Sequence, residues 1–166
     1  MSSQLRITPA TESDLSLILS FIRKLAEYEK LSHLVIATEA NIREHVFGTN
    51  PVAEVLLAYW DGVPVGLALY FRNFSTFLGQ PGIYLEDLFV EPAYRGKGIG
   101  KALLARLAKI AMERGYGRLE WAVLDWNAPS IKFYRSLGAV PLDEWTGYRL
   151  TGDALSRLAL GDRSRA

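Results

Sequence analysis

The sequence predicts an α/β fold in three layers, with helices on both faces of a central mixed, mostly antiparallel sheet and the order β-α-α-β-β-β-α-β-α-β-β. Three observations predict it. Apolar residues recur at the 3, 4 spacing of an amphipathic helix in two separate stretches, 15–26 and 99–111. Two apolar runs meet at Asp61-Gly62, the dipeptide of a two-residue hairpin. A third run, 83–90, leads into Arg95-Gly96-Lys97-Gly98-Ile99-Gly100-Lys101, a glycine-rich passage from strand to helix.

Each element has its own reason. Residues 5–8 form a short first strand. Thr11-Glu12-Ser13-Asp14 offers capping oxygens and acidic charge to a helix N-terminus. Leu15, Ile18, Leu19, Ile22, Leu25 and Ala26 give that helix its apolar stripe. A second helix spans 38–47 and ends at Gly48. Strands follow at 54–60, 63–71 and 83–90. The last of these ends at Glu91-Pro92, because the residue before proline leaves the helical region and proline has no N–H for the ladder. Ile99, Leu103, Leu107, Ile110 and Ala111 mark the next helix, stopped by Gly115 and Gly117. Residues 119–124 read as a strand. Asn127 caps a further helix, with Pro129 in its first turn and Gly138 past its end. Residues 148–150 supply a last strand.

With 166 residues the chain is expected to be one domain, 1–166, with 161–166 a polar, frayed tail. Hydrophobic residues make up 49% and charged residues 22%, the balance of a globular protein. A net charge of +1 gives no global field for nucleic acid or an anionic membrane, and neither is expected as a partner. The absence of cysteine excludes disulfides, thiolate zinc sites and a cysteine nucleophile together. His33 and His45 match no metal-ligand spacing, so no metal is expected. No apolar run reaches membrane-spanning length, and Met-Ser-Ser-Gln does not open a secretory signal, so a cytoplasmic location is expected.

The glycine passage carries the chemistry. The first turn of a helix has amides without intrahelical partners, and its dipole favours negative charge. Glycines let a phosphate approach those amides, and Arg95, Lys97 and Lys101 add formal positive charge. The spacing fits neither a P-loop nor a dinucleotide fingerprint. The fit is to Arg-x-x-Gly-x-Gly, with Arg95, Gly98 and Gly100, which resembles the acyl-CoA pyrophosphate loop of the GNAT superfamily of N-acetyltransferases. The alternative is a glycine-rich turn on an ordinary surface helix. The element order, with the loop after the fourth strand, resembles the same superfamily from Leu5 to about Leu150.

That resemblance implies acetyl-CoA as co-substrate. The loop Arg95, Gly96, Lys97, Gly98, Ile99, Gly100 and Lys101 would hold its pyrophosphate, and backbone groups of Leu88, Phe89 and Val90 its pantetheine arm. Asn127, Ser130 and Tyr134 would complete the cofactor site. Asn127-Ala128-Pro129-Ser130-Ile131-Lys132-Phe133-Tyr134 matches the family's Asn-x-x-[Ala/Ser]-x-x-Phe-Tyr, where tyrosine protonates the leaving thiolate. The alternative for Tyr134 is packing on an amphipathic helix. In Tyr84-Leu85-Glu86-Asp87-Leu88-Phe89-Val90, alternation puts Tyr84, Glu86, Leu88 and Val90 on one face and Leu85, Asp87 and Phe89 on the other. Glu86 would help deprotonate the incoming amine, unless it or Asp87 simply pairs with an arginine across the sheet.

Leu25-Ala26-Glu27-Tyr28-Glu29-Lys30-Leu31-Ser32, Tyr84-Leu85-Glu86-Asp87 and Ala122-Val123-Leu124-Asp125-Trp126-Asn127 resemble the diamine (spermidine/spermine) acetyltransferase group, above all its thialysine-acetylating branch. Ser75-Thr76 and Leu124-Asp125 resemble that branch too. Carried over by position, Tyr28, Glu29, Ser75, Thr76, Glu86, Asp87, Leu124 and Asp125 would line an acidic amine pocket, suited to a substrate with two or more positive charges. For Glu29 the other reading is a solvated helix charge. The group's Glu-Glu-Gly-Trp reads Trp145-Thr146-Gly147-Tyr148 here, which removes one carboxylate or displaces it to Glu144. The implied activity is direct acetyl transfer to a primary amine of thialysine, a lysine-like amine or a polyamine. The alternatives are a peptide or protein N-acetyltransferase and a catalytically inactive CoA-binding module. The resemblance also implies a homodimer joined through the C-terminal strands, with Trp145 and Tyr148 supplying an apolar patch there.

Overall fold

Among the described residues, five strands form one sheet in chain order: β1 (Leu5–Pro9), β2 (Glu54–Trp60), β3 (Val63–Ser75), β4 (Gln80–Val90) and β5 (Leu119–Trp121). The computed structural model describes residues 4–161. The first three pairings are antiparallel and the last is parallel. Short turns explain the antiparallel part. Asp61 and Gly62 both adopt positive φ, 50° and 83°, as the two-residue turn between β2 and β3 demands. At the β3–β4 turn the Ser75 hydroxyl accepts a hydrogen bond from the Leu78 amide at 3.2 Å. β4 and β5 run parallel because a helix returns the chain between them.

Helices cover both faces. On one lie α1 (Leu15–Tyr28) and the short α2 (Glu39–Ile42), whose Leu15, Ile18, Leu19, Phe21 and Ile42 pack on Val55, Leu57, Leu67 and Phe89 of the sheet. The rings of Phe21 and Phe89 lie 5.5 Å apart and pin α1 to β4. On the other face lies α3 (Ile99–Glu113), with Ile99, Leu103, Leu104, Leu107 and Ile110 buried. Gly66 is required there by space, since a Cβ would stand 2.9 Å from the Phe89 carbonyl oxygen and 3.5 Å from a Leu103 methyl. Past the end of α3, Arg114 donates two hydrogen bonds to Glu54, at 2.6 and 2.7 Å, and the Tyr70 hydroxyl donates a third at 3.2 Å.

The chain divides into two compact units, Met1–Leu124 and Asp125–Ala166. The first holds the sheet with α1, α2 and α3. The second contains α4 (Ala128–Ser136) and α5 (Gly152–Leu160). The expected tail, 161–166, lies outside the described residues apart from Gly161.

Four expectations are corrected. The expected seven strands are five among the described residues. Residues 148–150 form no strand, and 139–150 carry no regular structure beyond a turn at 143–144. Pro141 and Gly147 interrupt this segment, and both residue types weaken a strand. A helix follows instead, α5, with Thr151 at its N-cap, Asp153 in the first turn and the helix formers Ala154, Leu155, Leu158, Ala159 and Leu160. The fifth strand stops at Trp121 rather than 124. The second helix is α-helical only over Glu39–Ile42 and widens to a π turn over Arg43–Phe47. Gly48, which ends it, has an ordinary negative φ. It is glycine because a Cβ would lie 2.2 Å from the Glu44 carbonyl oxygen.

Candidate active site

The glycine passage leaves β4 through a short 3-10 turn, Pro92–Tyr94, and enters α3 at Ile99. Gly96 and Gly98 have φ of 77° and 81°, a conformation that costs other L-residues about 1–2 kcal/mol. A Cβ on either would meet nothing within 4 Å. Glycine is therefore demanded by the backbone, and the space before the helix N-terminus stays open. Buried Ile99 fixes the first turn to the core, with Gly100 and Lys101 following on that turn. The loop cations have seats. Lys97 lies 5.2 Å from the ring centre of Trp60 and 5.1 Å from that of Tyr94. Arg95 lies 4.7 Å from the ring centre of Tyr28 and donates from Nε to the Val90 carbonyl at 3.0 Å. Lys24 of α1 pairs with Glu91, immediately after β4. Open amides, a helix dipole and placed cations form a site that fits a pyrophosphate.

Beside the loop, β4 presents a bare edge. Its parallel ladder with β5 covers only Ile83, Tyr84 and Leu85. Among the described residues, no strand of the sheet flanks 86–90 on that side. The Glu91 amide donates to the Val65 carbonyl at 2.8 Å. This makes Val90 and Gly66 a pair whose own N–H and C=O groups point away from each other. The same alternation turns the main chain of Leu88 outward and that of Phe89 toward Leu67. An extended arm laid along this edge finds hydrogen-bonding groups at Leu88 and at the Val90 amide, the Val90 carbonyl already accepting from Arg95. The Phe89 ring is in the core.

The ladder between β3 and β4 carries a bulge. Leu69 faces Asp87 and Tyr70 faces Leu85, so Glu86 is the extra residue. Strict alternation, which would group Leu85 with Asp87 and Phe89, fails here. Asp87 and Phe89 lie on the α1 face, whereas Leu85 follows Tyr70 to the α3 face. Glu86 is exposed and Asp87 half-buried. Burial pushes the Asp87 carboxyl up to about 6, with the charges of Glu86 and Glu29 adding to the effect. Glu29 caps the C-terminus of α1, next to Tyr28, and burial raises its carboxyl too. A helix C-terminus is an unfavourable place for a carboxylate. α1 and β4 thus bring three carboxylates together, and among the described residues neither Glu86 nor Asp87 forms an ion pair. The carboxylate paired with an arginine at the sheet is Glu54, which the Arg114 hydrogen bonds hold below the usual range. Such a cluster attracts a polycation and can accept its proton.

Other expected residues lie elsewhere. Ser75 and Thr76 sit at the far end of β3, and Ser75 pairs with Gln80. Glu86 lies six positions along β4 from Gln80, or about 20 Å. Leu124 ends the first unit. In the second unit, Asp125 is exposed and buried Asn127 caps α4, its side chain accepting from the Ser130 amide at 3.4 Å. Tyr134 is half-buried on α4, its ring 5.4 Å from that of Phe133. Sequence reasoning missed Trp60, Tyr94 and Lys24 as supports of the loop, since nothing local marks them. It also missed the bulge, whose visible signal was two adjacent carboxylates in an apolar strand.

Residues 20–139 match the acetyltransferase (GNAT) family. The chain is 41% identical over 165 residues to the thialysine N-epsilon-acetyltransferase of Mus musculus, covering 93% of this chain and 96% of the relative. It is 33% identical to the L-ornithine N5-acetyltransferase of Arabidopsis thaliana, covering 92% and 87%. Among solved structures, an integron cassette protein from the mobile metagenome of V. cholerae superposes with a TM-score of 0.78 at 31% identity, covering 95% of this chain and 98% of that one.

The raised Asp87 carboxyl has a consequence for stability. Folding holds its proton more tightly than the unfolded chain does, so the native state loses stability as pH rises from about 4 to 6. Asp87→Asn is expected to unfold at higher urea than wild type at pH 8, by about 2 kcal/mol after allowing for partial exposure. The gap should close at pH 3.5. A variant less stable than wild type at pH 8 would count against an uncompensated Asp87.

Proposed function

The chain belongs to the GNAT acetyltransferase family and is an N-acetyltransferase; from that premise we propose that it uses acetyl-CoA to acetylate a primary amine of a small, multiply cationic substrate such as thialysine, another lysine-like amine or a polyamine. The observation that carries this reading is the cluster of Glu29, Glu86 and Asp87, set beside the bare edge of β4 and the glycine loop. Two of the relatives act, by name, on thialysine and on L-ornithine. Both are amino acids with a side-chain amine, the kind of cation that unpaired carboxylates attract.

Acetyl-CoA, when bound, supplies the acyl group as a thioester. Gly96, Gly98 and the first turn of α3 hold its pyrophosphate, with Arg95, Lys97 and Lys101 countering the charge. Leu88 and Val90 hold the pantetheine arm by main-chain hydrogen bonds. Glu29 and Asp87 draw in the cationic amine, with Tyr28 beside them at the end of α1. Glu86, through a water, takes the proton that the ammonium must lose before it attacks. Asp87, with a carboxyl near 6, is ionised at neutral pH and shares that work. Asn127 and Ser130 fix the start of α4, and the Tyr134 hydroxyl delivers a proton to the departing sulfur. Among the described residues no helix is long and apolar enough to cross a membrane, and we place the enzyme in the cytoplasm. We also propose a homodimer through the second unit, where Trp145 and Tyr148 are 75% and 96% exposed.

Release of free thiol from acetyl-CoA, followed across thialysine, ornithine, spermidine and a lysine peptide, tests the reading. The small amines are expected to accelerate it, and silence across the panel would sink it. Tyr134→Phe should lower kcat by about 10²–10⁴ with little change in CoA affinity. Turnover at the wild-type rate would remove Tyr134 from the chemistry. Gly98→Asp should weaken CoA binding by at least about tenfold in calorimetry, through a strained φ and a like charge. Unchanged affinity would place the pyrophosphate elsewhere. Light scattering at micromolar concentration is expected to give the mass of a dimer, and a monomer would contradict that assignment.

A further inference from the structure

We propose that Tyr28 is a positioning residue for the cofactor side of the site: its ring orients Arg95 toward the pyrophosphate loop, so that the amine pocket and the cofactor loop are energetically linked. The inference rests on the proposed acetyl-CoA reading. Tyr28 is the last residue of α1, next to Glu29, whereas Arg95 opens the glycine loop. They are 67 positions apart in sequence, yet the Arg95 guanidinium lies 4.7 Å from the centre of the Tyr28 ring. Its Nε donates to the Val90 carbonyl at 3.0 Å, and the guanidinium also lies 5.9 Å from the Phe89 ring centre. A long, exposed arginine would otherwise sample many rotamers, and ordering it on a ligand costs affinity. The ring and the carbonyl remove that cost in advance. With Nε committed to Val90, the two terminal nitrogens are the donors left to meet a phosphate, the fork geometry that arginine uses best.

The contact also ties two binding events together. Any amine that shifts the Tyr28 ring shifts the guanidinium stacked on it. Any phosphate that clamps the guanidinium steadies the ring, and such coupling is reciprocal.

Calorimetry of CoA binding to the full chain tests this with a mutant cycle. Tyr28→Leu, which removes the ring, is expected to weaken CoA binding by about 3–20-fold, the range of a cation–π contact. Tyr28→Phe keeps the ring and should stay within about twofold of wild type. In an Arg95→Ala background, Tyr28→Leu should change affinity no further, because the ring then has nothing to orient. A general loss of fold would persist in that background. Unchanged or tighter binding in Tyr28→Leu, or an equal loss with and without Arg95, overturns the inference. Failure of the wild type to bind CoA at all would instead overturn the acetyl-CoA reading.

Discussion

Both halves of the first unit's chemistry depend on where the pairing of β4 with β5 stops. The parallel ladder spans three residues and ends at Leu85, one position before the Glu86 bulge. Up to that point β4 is an interior strand, hydrogen-bonded on both sides. Beyond it, one side is bare, and an unpaired strand edge is a row of donors and acceptors that something must satisfy. The glycine loop follows within six residues of that edge. A ligand with an amide-bearing arm and a charged end therefore finds both needs met along one short stretch of chain.

The bulge decides which side chains join that stretch. Without it, Asp87 would share a face with Leu85. With it, Asp87 turns to the α1 face, where the helix delivers Glu29. The sheet holds carboxylates of two kinds. Glu54 is locked by two arginine hydrogen bonds and the Tyr70 hydroxyl, and its ionised form is stabilised by the protein itself. Asp87 has carboxylates for neighbours, so its ionised form lacks internal compensation. The first arrangement stabilises the fold. The second leaves the ionised carboxylate without an internal counter-charge, at some expense in stability.

The cations of the loop follow a related logic. Arg95 and Lys97 each lie over aromatic rings, Tyr28 for the first, Trp60 and Tyr94 for the second. An aromatic face holds a cation in place without neutralising it, as a carboxylate would. The loop keeps its positive charge and loses much of its freedom.

The glycine passage, the hairpin at Asp61-Gly62, the stripes of α1 and α3 and the cap at Asn127 were all legible in the sequence, because each is a local pattern with a local cause. A positive φ, a 3, 4 spacing or a capping oxygen needs only neighbours along the chain. The resemblance to acetyltransferases lay in the same kind of short, fixed spacing. What sequence could not supply were the features set by register and packing. The Glu86 bulge depends on how β4 slides against β3. The seats of Arg95 and Lys97 depend on rings from α1, β2 and the turn before the loop. The end of β5 at Trp121 depends on which edge it meets. Residues 148–150, with strand-like composition, form no strand, because strand pairing is settled by tertiary contacts rather than by composition, while α5 draws its hydrogen bonds from its own stretch of chain.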